Sequence, residues 1–181
     1  MPSSNSALER PVFLVGTTRS GTTLLSLILG HHSQVDFVGE LEWAFDFDMQ
    51  GRSLKEFHAA LEVDRAFRLY NLRIDRSLVY DDLIRSFLRQ LSEAGSPGKP
   101  IVWTQVHRHY SQLLRIWPNA RFIHIVRDGR DVAASWMHFG WNGNTWSGAK
   151  QWQRLLTEWA ALREQIDPAR RIEIRFEDLI A

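Results

Sequence analysis

The sequence predicts a three-layer α/β/α domain around a central parallel sheet, and three observations predict it. Short strand-like runs recur along the 181 residues, at 11–16, 121–126 and 171–176. Stretches of helical spacing separate them, the alternation that buries a parallel sheet on both faces. Two polar loops rich in arginine and hydroxyls follow apolar runs directly, and in such sheets ligands gather at the carboxyl ends of strands.

The elements follow in order. Residues 11–16 form an apolar run ended by Gly16, the pattern of a buried strand. A polar loop spans 17–21, and 22–29 reads as a helix closed near Gly30. Residues 35–39 are a second short strand. From Glu40 to Leu91 the reading is mostly helical, with Phe57, Leu61 and Asp64, then Leu83, Phe87 and Leu91, at helical spacing. Residues 94–100 are a loop by composition, a connection within one domain. A strand starts at 101–103. Residues 113–117 are helical and stop at Pro118. Residues 121–126 are a strand, a helix begins near Asp131, and a long helix runs from Ser147 to Ile166, before Pro168. The last strand is 171–176, and the chain stops at 177–181 where another helix is expected. Residues 1–181 thus read as one domain, with a C-terminal portion expected to be missing.

Composition excludes several classes. Hydrophobic residues are 44% and charged residues 24%, the globular range. A net charge of +1 supplies no field for nucleic acid or an anionic membrane, so a bound anion must be held by local geometry. Without cysteine there is no disulfide, thiolate catalysis or cysteine-based zinc site. The polar first ten residues lack a signal peptide's apolar core, and the longest apolar run, 24–29, is too short to span a bilayer. A cytoplasmic protein is expected.

The first loop, Gly16-Thr17-Thr18-Arg19-Ser20-Gly21-Thr22-Thr23, has the spacing of a phosphate loop, with Thr22 where that loop carries lysine. Its glycines let backbone N–H groups turn inward, and the following helix aims its N-terminus at an anion. Ser20, Thr22 and Thr23 add hydroxyls, and Arg19 adds charge. Loss of the lysine counts against nucleoside-triphosphate chemistry, which uses it on the β/γ-phosphates. The plainer alternative is a strand-to-helix connection. In the second loop, Arg127 leaves a strand end and Ser135 lies two turns into the next helix. An arginine fork with a hydroxyl suits a terminal phosphate; Asp128 and Asp131 equally suit a salt-bridged helix cap.

Together these segments resemble the sulfotransferases that use 3′-phosphoadenosine 5′-phosphosulfate (PAPS). The first is similar to that family's P-K/R-S-G-T-T loop, with Thr18 for proline. The second is similar to R-D/N-P-R/K-D-V-x-x-S, with Gly129 for proline. Arg175-Phe176-Glu177-Asp178-Leu179 resembles the recurrent Y-E-D-L/M segment, with phenylalanine for tyrosine. The resemblance implies a P-loop nucleotide-hydrolase-like fold. It implies that Arg19, Ser20, Gly21, Thr22 and Thr23 hold the 5′-phosphosulfate, and that Arg127 and Ser135 hold the 3′-phosphate. The product would be adenosine 3′,5′-bisphosphate (PAP). The acceptor would be a hydroxyl or amine on a small molecule, carbohydrate or peptide.

Sulfuryl transfer needs a base on the acceptor and positive charge on the leaving oxygen. Two residues compete for the base. Residues 32–41 resemble the H-P-x-V…G-E stretch of protein-tyrosine and carbohydrate sulfotransferases, which makes Glu40 the base. Gln105-Val106-His107 lies where cytosolic sulfotransferases carry K-T-H, which makes His107 the base; a histidine titrates near neutrality. Glu40 is favoured. Gln105 replaces the lysine that both branches use near the leaving oxygen, which leaves Arg19, helped by Arg108. His107-Arg108-His109 lacks an evident third ligand, so no metal is expected. Trp152 and Trp159 read as core. Trp136, Trp141 and Trp146 read as core or as an acceptor wall. Two other classes stay open: a phosphotransferase of the nucleoside-kinase type, and a non-catalytic nucleotide-binding module.

Overall fold

The computed structural model describes residues 4–47, 52–95 and 98–181. In chain order, α1 (Ser4–Glu9) leads to β1 (Val12–Val15), α2 (Thr22–Gly30) and β2 (Val35–Glu40). A 3-10 turn (Glu42–Ala44) precedes α3 (Leu54–Val63), α4 (Arg65–Leu69) and α5 (Tyr80–Ala94). Then come β3 (Ile101–Val106), α6 (Ser111–Ile116), β4 (Arg121–Val126), α7 (Gly129–His138) and α8 (Thr145–Arg163). A second 3-10 turn (Pro168–Arg170), β5 (Arg171–Arg175) and α9 (Phe176–Leu179) close the chain.

The strands form one sheet in the order β2-β3-β1-β4-β5, and every neighbouring pair is parallel. Val12 of β1 stands opposite Trp103 of β3 on one side and Arg121 of β4 on the other. Alternation along β1 builds a core on each face. Phe13 and Val15 enter the larger core, with Leu83 and Phe87 of α5, Leu113 of α6 and Trp159 of α8. Leu14 enters the other, with Leu25 of α2, Trp103 and Ile125. This is the three-layer architecture that the sequence predicts. Among the described residues no helix is long and apolar enough to cross a membrane.

Boundaries moved where capping chemistry decides them. Phe57 and Leu61 are fully buried, but Asp64 ends α3 and caps α4, accepting from Phe67 N at 2.8 Å. The long helix begins before Ser147, because Asn144 caps it by accepting from Ser147 N at 2.9 Å. The helix after the second loop starts at Gly129, capped by Asp128, rather than at Asp131. The stretch expected to be helical from Glu40 opens instead with the last residue of β2 and a 3-10 turn. Residues 48–51 of that stretch, and Ser96 and Pro97 of the expected loop, lie outside the described residues.

The first loop is shaped by two glycines. A Cβ on Gly16 would sit 2.6 Å from the Ile125 carbonyl oxygen of β4, so the loop leaves β1 pressed against its neighbour. Gly21 has φ +94°, and a Cβ there would run into the Phe176 ring. Left-handed backbone costs an L-residue about 1–2 kcal/mol. We expect Gly21→Ala to lower the melting temperature by about 3–8 °C in a thermal scan.

Candidate active site

The two loops meet at Arg19. This residue sits between β1 and α2 with φ +71°, two positions before left-handed Gly21, so the backbone coils at the N-terminus of α2. Such alternation turns successive N–H groups into one concavity. Arg19 Nε donates to Ser135 Oγ at 2.9 Å, and Arg127 Nη1 donates to the Arg19 carbonyl at 3.3 Å. Ser135 is brought there by α7, which folds back across the loop; Trp136, next to it, donates to Thr18 Oγ1 at 2.8 Å. Thus Arg127 and Ser135 converge, each through a different part of Arg19.

The 3′-phosphate candidates are braced from α9 and α8. The Phe176 ring lies 4.4 Å from the Arg127 guanidinium carbon, and Glu177 accepts from Asp128 N at 3.0 Å. Trp152 donates to the Arg127 carbonyl at 3.3 Å. Asp131 accepts from Arg127 Nη2 at 3.3 Å, while Asp128 is held by Arg130, which pulls its carboxyl down to about 2.

A cleft of about 490 Å³ opens in front of the first loop, lined by Thr18, Arg19, Thr22, Thr23, Glu40, Glu42, His107, Arg108 and Trp141. Ser20 is not part of this lining. It is buried, its hydroxyl hydrogen-bonded to Thr17, so it shapes the loop from within. Arg19 stacks on Phe139, with 4.2 Å from its guanidinium carbon to the ring centre, and Trp141 stands beside it at 6.0 Å. Of the three tryptophans that read as core or as a wall, Trp141 lines the cleft. Trp136 is core, and exposed Trp146 stacks under Lys150.

Glu40 and His107 come together. Glu40 ends β2 after a break in register, a device that re-aims side chains beside sites. Its carbonyl accepts from Trp43 Nε1 at 2.7 Å and its N–H donates to Tyr70 at 3.3 Å. His107 follows β3, with Nδ1 at 3.0 Å from the Gly16 carbonyl. That bond places the proton on Nδ1, so Nε2 faces Glu40 Oε1 at 3.8 Å. Contact with His107 holds the Glu40 carboxyl below the usual carboxylate range, with Gln105 and Arg108 adding to it against burial. Burial pushes His107 down, but Glu40, Glu42 and the Gly16 carbonyl outweigh it and raise it above its ordinary value. The pair therefore sets a carboxylate against the imidazole Nε2, each group favouring the charged form of the other.

Sequence reading passed over Glu42, Ser26 and Asp46. Glu42 is buried, which pushes its carboxyl up, and it accepts from His107 N at 3.3 Å and Arg108 Nη1 at 3.2 Å. Asp46 takes the rest of the Arg108 fork, so that guanidinium is neutralised from two sides. Nothing in one dimension marks Glu42 apart from its place two residues after Glu40. His109 pairs with Asp46, and no group of three metal-ligating side chains occurs among the described residues.

A parallel sheet whose central strand ends in a coiled, hydroxyl-rich loop at a helix N-terminus, with a second loop folded onto it, defines the P-loop nucleotide-hydrolase-like class of α/β folds. Residues 11–181 match the Sulfotransferase family, and the chain belongs to that family. The fold is shared with the sulfotransferase domain from the curacin biosynthetic pathway, at TM-score 0.61 and 20% identity, over 94% of this chain and 68% of that one. It is also shared with the sulfotransferase domain from the Synechococcus PCC 7002 olefin synthase, at TM-score 0.58 and 18% identity, again over 94% and 68%. A curated relative from Aquifex aeolicus (strain VF5), named only as an uncharacterized protein, is 31% identical over 137 residues, 70% of this chain. The chain spans 17% of the length of that relative.

Proposed function

We propose that this sulfotransferase takes its sulfuryl group from PAPS and delivers it to a hydroxyl or amine acceptor by in-line displacement, with Glu40 as general base. The observation that carries the reading is the convergence of both loops on Arg19 at the edge of the cleft that holds Glu40 and His107. The residues fit the donor at both ends. The coiled loop, the α2 N-terminus and Arg19, Thr22 and Thr23 offer donors for a 5′-phosphosulfate. Arg127 and Ser135 offer a fork and a hydroxyl for a 3′-phosphate.

The donor supplies an activated sulfuryl group on a phosphate leaving group. Glu40 takes the acceptor's proton as the acceptor oxygen or nitrogen bonds to sulfur and the bond from sulfur to the phosphate oxygen breaks. The loop N–H groups and Arg19 receive the negative charge that leaves with that oxygen. The raised pKa of His107 favours its positive form in the cleft, near the place where the motifs this chain resembles carry a lysine. Lys99 is spent on the Val35 carbonyl at 2.8 Å, Lys150 on Trp146, and Lys55 belongs to α3.

Calorimetric titration with PAP, beside ATP with magnesium, tests this. We expect PAP to bind and magnesium-ATP to bind at least about 100-fold more weakly, since the lysine used on β/γ-phosphates is absent. Preference for magnesium-ATP would overturn the reading in favour of a phosphotransferase.

A further inference from the structure

We infer that Gln105 is a positioning residue: anchored by Ser26, its side-chain amide holds the Glu40 carboxylate at the cleft wall. The inference rests on the reading of Glu40 as the base. Gln105 and Glu40 are register partners across β3 and β2, and the Leu41 N–H donates to the Gln105 carbonyl at 3.2 Å. The side chains repeat the pairing, with Gln105 Nε2 donating to Glu40 Oε1 at 2.6 Å. On the far side, Ser26 Oγ donates to Gln105 Oε1 at 2.9 Å.

Donor and acceptor chemistry fixes the direction of this chain. An ionised carboxylate only accepts, so the amide must present its NH₂ to Glu40, and its oxygen is left for the Ser26 hydroxyl. Ser26 and Gln105 are each 5% exposed, whereas the Glu40 side chain is 52% exposed. The half-exposed group is therefore held by two buried ones. Ser26 belongs to α2, the helix that carries the anion loop at its N-terminus, and His107 is fixed to Gly16 at the start of the same loop. Both partners of Glu40 are thus referenced to the loop. A lysine at position 105 has no acceptor for Ser26 and places a full positive charge on the base. Gln105 is an alternative to that lysine with its own task.

The titration of His107 reads out where Glu40 is held. The groups that face His107 are Glu40 at the end of β2, Glu42 in the following turn, Arg108 beside it in the chain and Arg19 across the cleft. Tyr110 donates to its backbone carbonyl at 3.2 Å. Nitrogen-15 NMR of labelled histidines would follow its midpoint, with the resonance assigned by His107→Gln and Glu40→Gln as the reference for full loss of the carboxylate. Without Gln105 the half-exposed carboxylate swings toward water. We expect Gln105→Leu to lower the midpoint by about half a unit or more, in the direction of Glu40→Gln. Ser26→Ala, which keeps the glutamine and removes its anchor, should lower it by less, and serves if the leucine variant does not fold. PAP affinity, measured by calorimetry, should stay within about 3-fold in both, because neither residue lines the cleft. An unchanged or raised midpoint in Gln105→Leu, where Glu40→Gln lowers it, would overturn the positioning role. Failure of the wild-type chain to bind PAP would instead overturn PAPS as the donor, with the midpoints still deciding whether Gln105 holds Glu40.

Discussion

Glu40→Gln should lower turnover by about 10²–10⁴-fold, the usual worth of a positioned general base. It should leave PAP affinity within about 2-fold. The two effects separate because Glu40 ends β2 on the cleft wall, while the proposed anion donors come from the loop after β1 and the loop after β4. Glutamine keeps the volume, and can still meet Gln105 and His107 by rotating its amide, so loss of folding would not mimic the result. The measurement is release of PAP from the phosphosulfate donor, followed by coupled assay or chromatography, beside calorimetry. His107→Gln is the companion variant. If Glu40→Gln turns over like wild type and His107→Gln does not, the imidazole is the base and the carboxylate is its partner. If both turn over normally, neither is, and the proton goes elsewhere.

Arg127→Ala should weaken PAP by about 100-fold or more, the loss of two charge-assisted hydrogen bonds. The discriminating ligand is adenosine 5′-phosphosulfate, which lacks the 3′-phosphate. Its affinity should change little, so the preference for a 3′-phosphate collapses in the variant. Arg127→Lys should recover only part, because an ammonium keeps the charge but not the fork. The structure gives this arginine an unusual degree of bracing: Phe176 stacks on it, Asp131 and the Arg19 carbonyl take its terminal nitrogens, and its Nε is buried without a partner. Equal loss of both ligands in Arg127→Ala would mean that the residue supports the first loop rather than reading the second phosphate.

The sheet was legible where strands are apolar on both faces, as in β1 and β4. β3 was marked only at its first half, because Thr104 and Gln105 interrupt the apolar run; Gln105 is polar there because its side chain meets Glu40. Asp64 fitted a helical period, yet an aspartate also caps, and capping won. The two polar loops were readable because their spacing is local. The relation of Glu40 to His107 was not. They read as rivals for one role, since nothing in one dimension says that β2 and β3 are neighbours. Once the strands are adjacent, the two face each other at 3.8 Å and Glu42 accepts from the His107 N–H, while Ser26 reaches Gln105 from α2, whose packing on the sheet is equally absent from one dimension.

The strand order carries a consequence for ligand length. His107, the first loop and Arg127 leave β3, β1 and β4, three strands side by side. Neighbouring strands lie about 4.8 Å apart, so His107 and Arg127 stem from points about 10 Å apart along the hydrogen-bonding direction. That spacing belongs to the backbone and is the same whatever side chains fill the loops. On the proposed function, the sheet edge is a gauge: it measures a nucleotide between its two charged ends, and drift in the loop sequences leaves the scale unchanged.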